Sequence, residues 1–333
     1  MDAKATPFAA PVVEKLSVRV VVDSVYERFL PKLEHSMAGI EHVGAIPGRQ
    51  MTTFAAEWGL SLHLASVKDG ASAEYLLDFG YTPEILNRNF DLLDIDPGKL
   101  NGLILSHGHR DHFGGLDGFV GQHRTHMRDD ISLYVGGETV FREKWIGQKG
   151  KKPVPWGAID RSSLTARNVQ QVCCSEPHDL QDAFTSGYIE RNSFEDVSGG
   201  TLVEEDDDHY TEDERAGKLV TDQHPDEHAT CYMIEGRGLV VISSCGHTGI
   251  INTVRTAMAV ANTDKVHAVI GGFHLGLAPN EYVDHTLDEL ELINPDVVVP
   301  MHCTGANFIG KMRERMPDKL VASNVGSRFT FGV

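Results

Sequence analysis

The chain has 333 residues, of which 41% are hydrophobic and 23% charged, which is enough apolar material for a substantial core in a soluble protein. Its net charge of −18 argues against a nucleic-acid partner, because phosphate contacts need clustered Lys and Arg. No run of about eighteen apolar residues offers a membrane span, and five cysteines with no CxxC spacing do not describe a disulfide framework.

Residues 1–15 read as a loose start, with no positive region followed by a long apolar core, so no signal peptide is expected. Ser17 to Asp23 is short and rich in β-branched residues, hence a strand. Residues 24–50, with Pro31, Gly39, Gly44, Pro47 and Gly48, read as a long loop of the kind that borders a site. Strands follow at Ser61 to Val67 and Tyr75 to Phe79, joined by a turn at Asp69-Gly70, then a helix from Pro83 to Leu93.

An apolar run then ends at Ser106 and opens into His107-Gly-His109-Arg-Asp111-His112, followed by an amphipathic stretch. A buried strand, a tight loop of metal ligands and a helix is the simplest reading. Neutral imidazole suits zinc, iron, manganese and nickel, and a carboxylate adds charge compensation. His107 and His109 project to the same side of an extended segment, while Asp111 and His112 lie past the bend.

Ser132 to Val135 is the next strand, after which the pattern loosens over about 138–230 into an irregular charged insertion. Within it, Lys149 to Trp156 reads as a loop, Asn168 to Cys174 as a strand, and Glu204 to Asp208 as a solvated acidic run without calcium-loop spacing. Order returns with strands at Ala229 to Ile234 and Gly238 to Ser243, a helix from Ile250 to Ala261, a strand at His267 to Ile270, a helix from Asn280 to Leu292, and a strand at Val297 to Val299. His107, His247 and His302 each stand a few residues past an apolar strand, so strands ending on one edge could bring them together. The other histidines, including His35, His42, His63, His123, His126, His209 and His224, read as surface or satisfied loop residues.

The His107–His112 motif resembles the signature of the metallo-β-lactamase fold superfamily. Glu57 to Ser61, Leu76 to Gly80, Ser244 to Gly249, Gly271 to Leu275 and Met301 to Gly305 narrow the likeness to one branch. It comprises proteins similar to dihydropterin-methyl-ribofuranosylaminobenzene phosphate synthase and many related hydrolases. The resemblance implies an α/β fold, an αββα four-layer sandwich of two mixed sheets flanked by helices, in a single domain spanning residues 1–333. It also implies one metal site of His107, His109 and His247 and another of Asp111, His112 and His302, holding one or two Zn²⁺, with manganese or iron as alternatives. Asp78 would brace the loop. Cys245 and Cys303 could be soft ligands, but small strand-end residues is the preferred reading. Many members carry a metal-bridging aspartate where this chain has His274, which is read instead as a proton donor or substrate contact. Asp226 and His228, and less strongly Asp23, are further candidates for reaching the site.

The expected function is metal-dependent hydrolysis, with a metal-bound hydroxide oriented by Asp111 attacking a small-molecule substrate and His274 serving the leaving group. A lactone, a phosphoester or an activated halogenated aromatic would each suit such a centre. The alternatives are carbon–nitrogen bond formation, as the resemblance to the synthase implies, and a non-catalytic metal-binding sensor or scaffold. A cytoplasmic protein without nucleic-acid or membrane partners is expected, and a homodimer is left open.

Overall fold

A computed structural model describes residues 8–332 except 45, 47, 50, 148–149, 206–210 and 212–216. The expectations for His209, Lys149, Pro47, residues 1–7 and the Asp206–Asp208 part of the acidic run lie outside the described residues.

Two large mixed sheets face each other. The first runs, in spatial order, Gln170–Cys173, Ser132–Val135, Leu100–Leu105, Ala71–Leu77, Ser61–Lys68, Lys15–Val22, Arg328–Phe331 and Gly39–Glu41. The second runs His178–Asp179, Phe184–Thr185, Thr230–Ile234, Gly238–Ser243, Val266–Gly271 and Val297–Pro300, with Val12–Val13 paired to Thr230–Ile234. Alternation along Lys15–Val22 explains the packing. Leu16, Val18 and Val20 point between the sheets, where they meet Leu62, Leu64, Ile242, Ile270 and Val299. Val21 and Val22 join a second core under the helices Pro83–Leu92 and Leu116–His123. A third core lies under Ile250–Ala261, Asn280–Ile293 and Ala306–Arg315 on the far face. The result is the expected helix, sheet, sheet, helix stack.

Strand direction positions the site. Ala71–Leu77, Leu100–Leu105 and Ser132–Val135 are mutually parallel, as are Gly238–Ser243, Val266–Gly271 and Val297–Pro300. Their carboxyl ends, followed by Asp78, His107, His247, His274 and His302, therefore gather on one edge. Lys15–Val22 is antiparallel to Ser61–Lys68, which is antiparallel to Ala71–Leu77, so Asp23 emerges on that same edge. Thr230–Ile234 is antiparallel to Gly238–Ser243, so Asp226 to His228 enter it from there.

The expected strands and helices differ in their limits by a few residues, but the stretch read as a loop over 24–50 contains the strand Gly39–Glu41, the loose start contains Val12–Val13, and the insertion differs in kind. Rather than irregular, it contains a third sheet, ordered Leu219–Thr221, Thr201–Glu204, Lys144–Ile146 and Val154–Gly157, and a helix Arg161–Ala166. Its strands are only three or four residues long and separated widely in sequence, so they carry little periodicity to read. The five cysteines are all free. Among the described residues no helix is long and apolar enough to cross a membrane.

Candidate metal centre

The loop after Leu100–Leu105 is fastened from beneath by one carboxylate. Ser106 donates through N and Oγ to Asp78, each at 2.8 Å, and His112 Nδ1 donates to Asp78 Oδ2 at 2.7 Å. Asp78 is fully buried and sits at φ 58°, a left-handed conformation that costs a non-glycine residue on the order of 1–3 kcal/mol. His224, His274 and His302 share that conformation, at φ 49°, 47° and 48°. Gly108 is held by its N–H to Asp226 Oδ2 at 2.8 Å, and a Cβ there would lie 2.6 Å from the Val140 carbonyl. Only glycine fits that approach.

His107, His109 and His247 bring ring nitrogens within 4.8 Å of one another. His107 Nε2 and His247 Nε2 are 3.2 Å apart. His247 Nδ1 donates to the Ser198 carbonyl at 2.8 Å, which leaves the lone pair on Nε2. His109 Nε2 meets Thr201 Oγ1 at 3.0 Å, leaving Nδ1 for the cluster. Burial and neighbouring imidazoles push all three rings well below the usual histidine range. They are neutral, as a metal ligand must be. Glu227 secures His247 from behind, accepting from His247 N at 2.8 Å and from Thr248 N and Oγ1 at 2.7 Å each.

Beside this triad stand Asp111, His112 and His302. His302 Nε2 is 3.3 Å and His112 Nε2 3.9 Å from Asp111 Oδ2. Burial pushes the Asp111 carboxyl up, but His112 and His302 outweigh it and hold it well below the usual carboxylate range. Burial opposes charge on His112 too, yet Asp111 and Asp78 push it up to about 9. Asp23 Oδ1 accepts from His302 N at 2.9 Å, and the Trp58 ring lies over His302 with centroids 4.7 Å apart.

Asp111 Oδ1 and the Nε2 atoms of His112 and His302 are buried without a hydrogen-bond partner. Buried polar atoms left unpaired cost on the order of 1–3 kcal/mol each, and these belong to three side chains that meet around Asp111 Oδ2. Such orphans, beside three neutral imidazoles aimed inward, fit divalent metal in both triads. The N/O donor set suits zinc, manganese or iron.

All the proposed ligands are thus brought together. His274 lies at the margin, its ring 4.2 Å from that of His247 and its Nδ1 3.3 Å from Cys245 Sγ. Cys245 Sγ is 3.2 Å from Cys303 Sγ and also falls within 4.8 Å of nitrogens of His107 and His112, so its thiol faces the triads. Asp226 and His228 reach the loop from outside: Asp226 through Gly108, and His228 Nε2 to the Leu105 carbonyl at 2.8 Å.

His224 is a correction. Expected on a surface or in a satisfied loop, it is buried, its Nδ1 has no hydrogen-bond partner, and its ring stacks on His247 at 4.3 Å and 13°. Trp156, also unanticipated, packs against His109 at 5.0 Å. Lys144 is buried between Asp222 at 2.7 Å and Asp226 at 3.2 Å, tying the insertion to the Gly108 loop. The Asp222-x-His224-x-Asp226 alternation was the available signal, and the strand it follows, Leu219–Thr221, is only three residues long and largely exposed.

A metallo-β-lactamase superfamily model matches residues 69–128, which include the His107–His112 motif. A solved metal-dependent hydrolase of the β-lactamase superfamily superposes with a TM-score of 0.68 at 20% identity, covering 94% of this chain and 98% of that one. The chain has the metallo-β-lactamase fold. It is similar to a Methanocaldococcus jannaschii protein named 7,8-dihydropterin-6-methyl-4-(β-D-ribofuranosyl)-aminobenzene-5′-phosphate synthase. The two are 26% identical over 285 residues, which is 84% of this chain and 91% of that protein. An uncharacterised protein from the same organism is 24% identical over 245 residues, 72% of this chain and 82% of its own length.

Proposed function

We propose that the chain is a zinc-dependent hydrolase of a small organic substrate. The observation that carries this is the pair of triads meeting in one cluster, one neutral and one built on an ionised Asp111. His107, His109 and His247 would hold one metal, and Asp111, His112 and His302 a second. Bound metal supplies a Lewis acid and lowers the pKa of coordinated water toward about 7.

The protein's own groups do the rest. Asp111 keeps Oδ1 free, so it can accept a hydrogen bond from the attacking water and fix its direction. Asp78 and Glu227 hold the ligand loops against the pull of charge developing on the substrate. His274 is the proton donor to the leaving group. Burial lowers its pKa, but Cys303, Glu227 and Asp111 together raise it above the ordinary histidine value, which favours a ring that carries its proton. Lactones, phosphoesters and activated halogenated aromatics are all within reach of this chemistry.

A second reading is carbon–nitrogen bond formation, favoured by the similarity to the named synthase across 84% of the chain. The test is metal content of the purified protein after zinc supplementation, together with turnover on those three substrate classes. About two metals per chain and turnover of one class by hydrolysis is the expected result. Metal binding without hydrolysis of any class would favour the synthase reading, and less than one metal per chain would favour a scaffold.

A further inference from the structure

Beside the metal centre, on the His274 side, lies a cavity of about 370 Å³. That is within the roughly 300–1,000 Å³ of small-ligand sites. Its walls come from two directions. The insertion contributes Glu195 to Gly200, and the loop after Val266–Gly271 contributes Phe273 to Leu275 and Leu277 to Pro279, with Tyr282 behind. His274 lines it, and so does Gly246, the neighbour of His247. Gly199 sits against the metal ligand itself: a Cβ there would be 2.7 Å from His247 Nδ1. Cavity and triads therefore share a wall.

The lining is mostly apolar, through Val197, Phe273, Leu275, Ala278 and Tyr282, and holds two carboxylates, Asp196, which is exposed to solvent, and Glu195, which is buried. Glu195 is 4% exposed. Its Oε2 is fully engaged, accepting from Ile251 N at 2.8 Å, Asn252 N at 3.0 Å and Ser193 Oγ at 3.2 Å. Those bonds anchor it to the start of the helix Ile250–Ala261, where a negative charge is favoured. Oε1 has no hydrogen-bond partner among the described residues and lies just under the cavity surface, with less than 1 Å² of its own area accessible, so a ligand donor reaches it through a small shift of the lining. An unpaired carboxylate oxygen beside an apolar cavity calls for a donor that arrives with a ligand.

The geometry points to this cavity as the site for the non-reacting part of the substrate: an uncharged, apolar ring or acyl group that carries one N–H or O–H for Glu195 Oε1. Calling the occupant substrate rests on the hydrolase reading; the binding itself does not. Burial pushes the Glu195 pKa up to about 7, and a bound donor would draw it back toward the ionised form.

N-phenyl-1-naphthylamine, an uncharged aromatic with a single N–H, is a fluorescent probe of suitable character, and its N-methyl analogue lacks the donor. The full-length zinc-loaded protein should bind the N–H probe saturably and roughly five-fold or more tighter than the N-methyl form, about the value of one hydrogen bond. Val197→Trp and Ala278→Trp, which fill the cavity from opposite walls, should each weaken it at least about ten-fold with metal content unchanged. Glu195→Gln should erase most of the preference between the probes. No saturable binding, equal binding of both probes, or affinity retained in both Trp variants would overturn the assignment. Metal content measured on the same preparations keeps the two ideas apart: zinc bound without probe binding rejects the cavity alone, and probe binding without zinc rejects the hydrolase alone.

Discussion

The two triads are built by opposite means. His107, His109 and His247 are neutral, and much of their support comes from the insertion: the Ser198 carbonyl, Thr201 Oγ1 and the Glu227 carboxylate near its end. Asp111, His112 and His302 form a charged cluster supported by Asp78 and Asp23, which stand at the ends of strands in the first sheet. Carboxylates on the two sides titrate in opposite directions. Glu195, on the insertion side, is pushed up to about 7 by burial, whereas histidines hold Asp111 well below the ordinary range. A ligand set can be spread across two halves of a chain and yet depend on different parts of the fold for its precision.

If Asp111 is the group that both binds metal and directs water, Asp111→Ala should lower kcat by about a thousand-fold or more. Metal content should fall from about two toward one per chain while the circular dichroism spectrum is kept. Retained turnover would remove the asymmetry between the triads. On the insertion side, the sign of the pH effect follows from the raised Glu195 pKa. The folded state binds the proton more tightly than the unfolded chain, so the contribution is present below about pH 4.5 and is lost as pH rises toward about 7. A raise of that size corresponds to on the order of 3 kcal/mol. Thermal denaturation over that window should show wild type losing stability relative to Glu195→Gln as pH rises, and parallel pH profiles for the two would remove this contribution.

Two paired substitutions separate the triads directly. Glu227→Gln should weaken the first metal about 10–100-fold with little effect on the second, whereas Asp78→Asn should weaken the second by a similar factor through His112 and the first by less, through Ser106 and His107. Competition with a chromophoric chelator reads both constants, and loss of both metals in either variant would merge the triads into one cooperative unit. Thr201→Val, which removes the hydroxyl at His109 Nε2, should cost the first metal less, about ten-fold.

The candidate ligands His107, His247 and His302 were legible because each follows a short apolar strand, and parallel strands that share a sheet share an edge. The grouping into triads and the bracing role of Asp78 came from the resemblance. His224 was not legible. It lies in a segment without periodicity, and its burial depends on stacking against His247, a residue distant in sequence. The insertion's third sheet was missed on similar grounds, since Lys144–Ile146 pairs with Thr201–Glu204 across more than fifty positions.

What the amino-acid sequence determined by itself was the set of donor groups and the order of the strands that deliver them, because ligand chemistry and strand patterning are local properties of residue type. What only the tertiary structure decided was how those donors are held. The carboxylate bracing at Asp78 and Glu227, the placement of Cys245 and His224 at the cluster, and the cavity backed by Glu195 all arise from contacts between distant segments. Such contacts leave no local period in the chain, and they exist only once the two sheets have closed on one another.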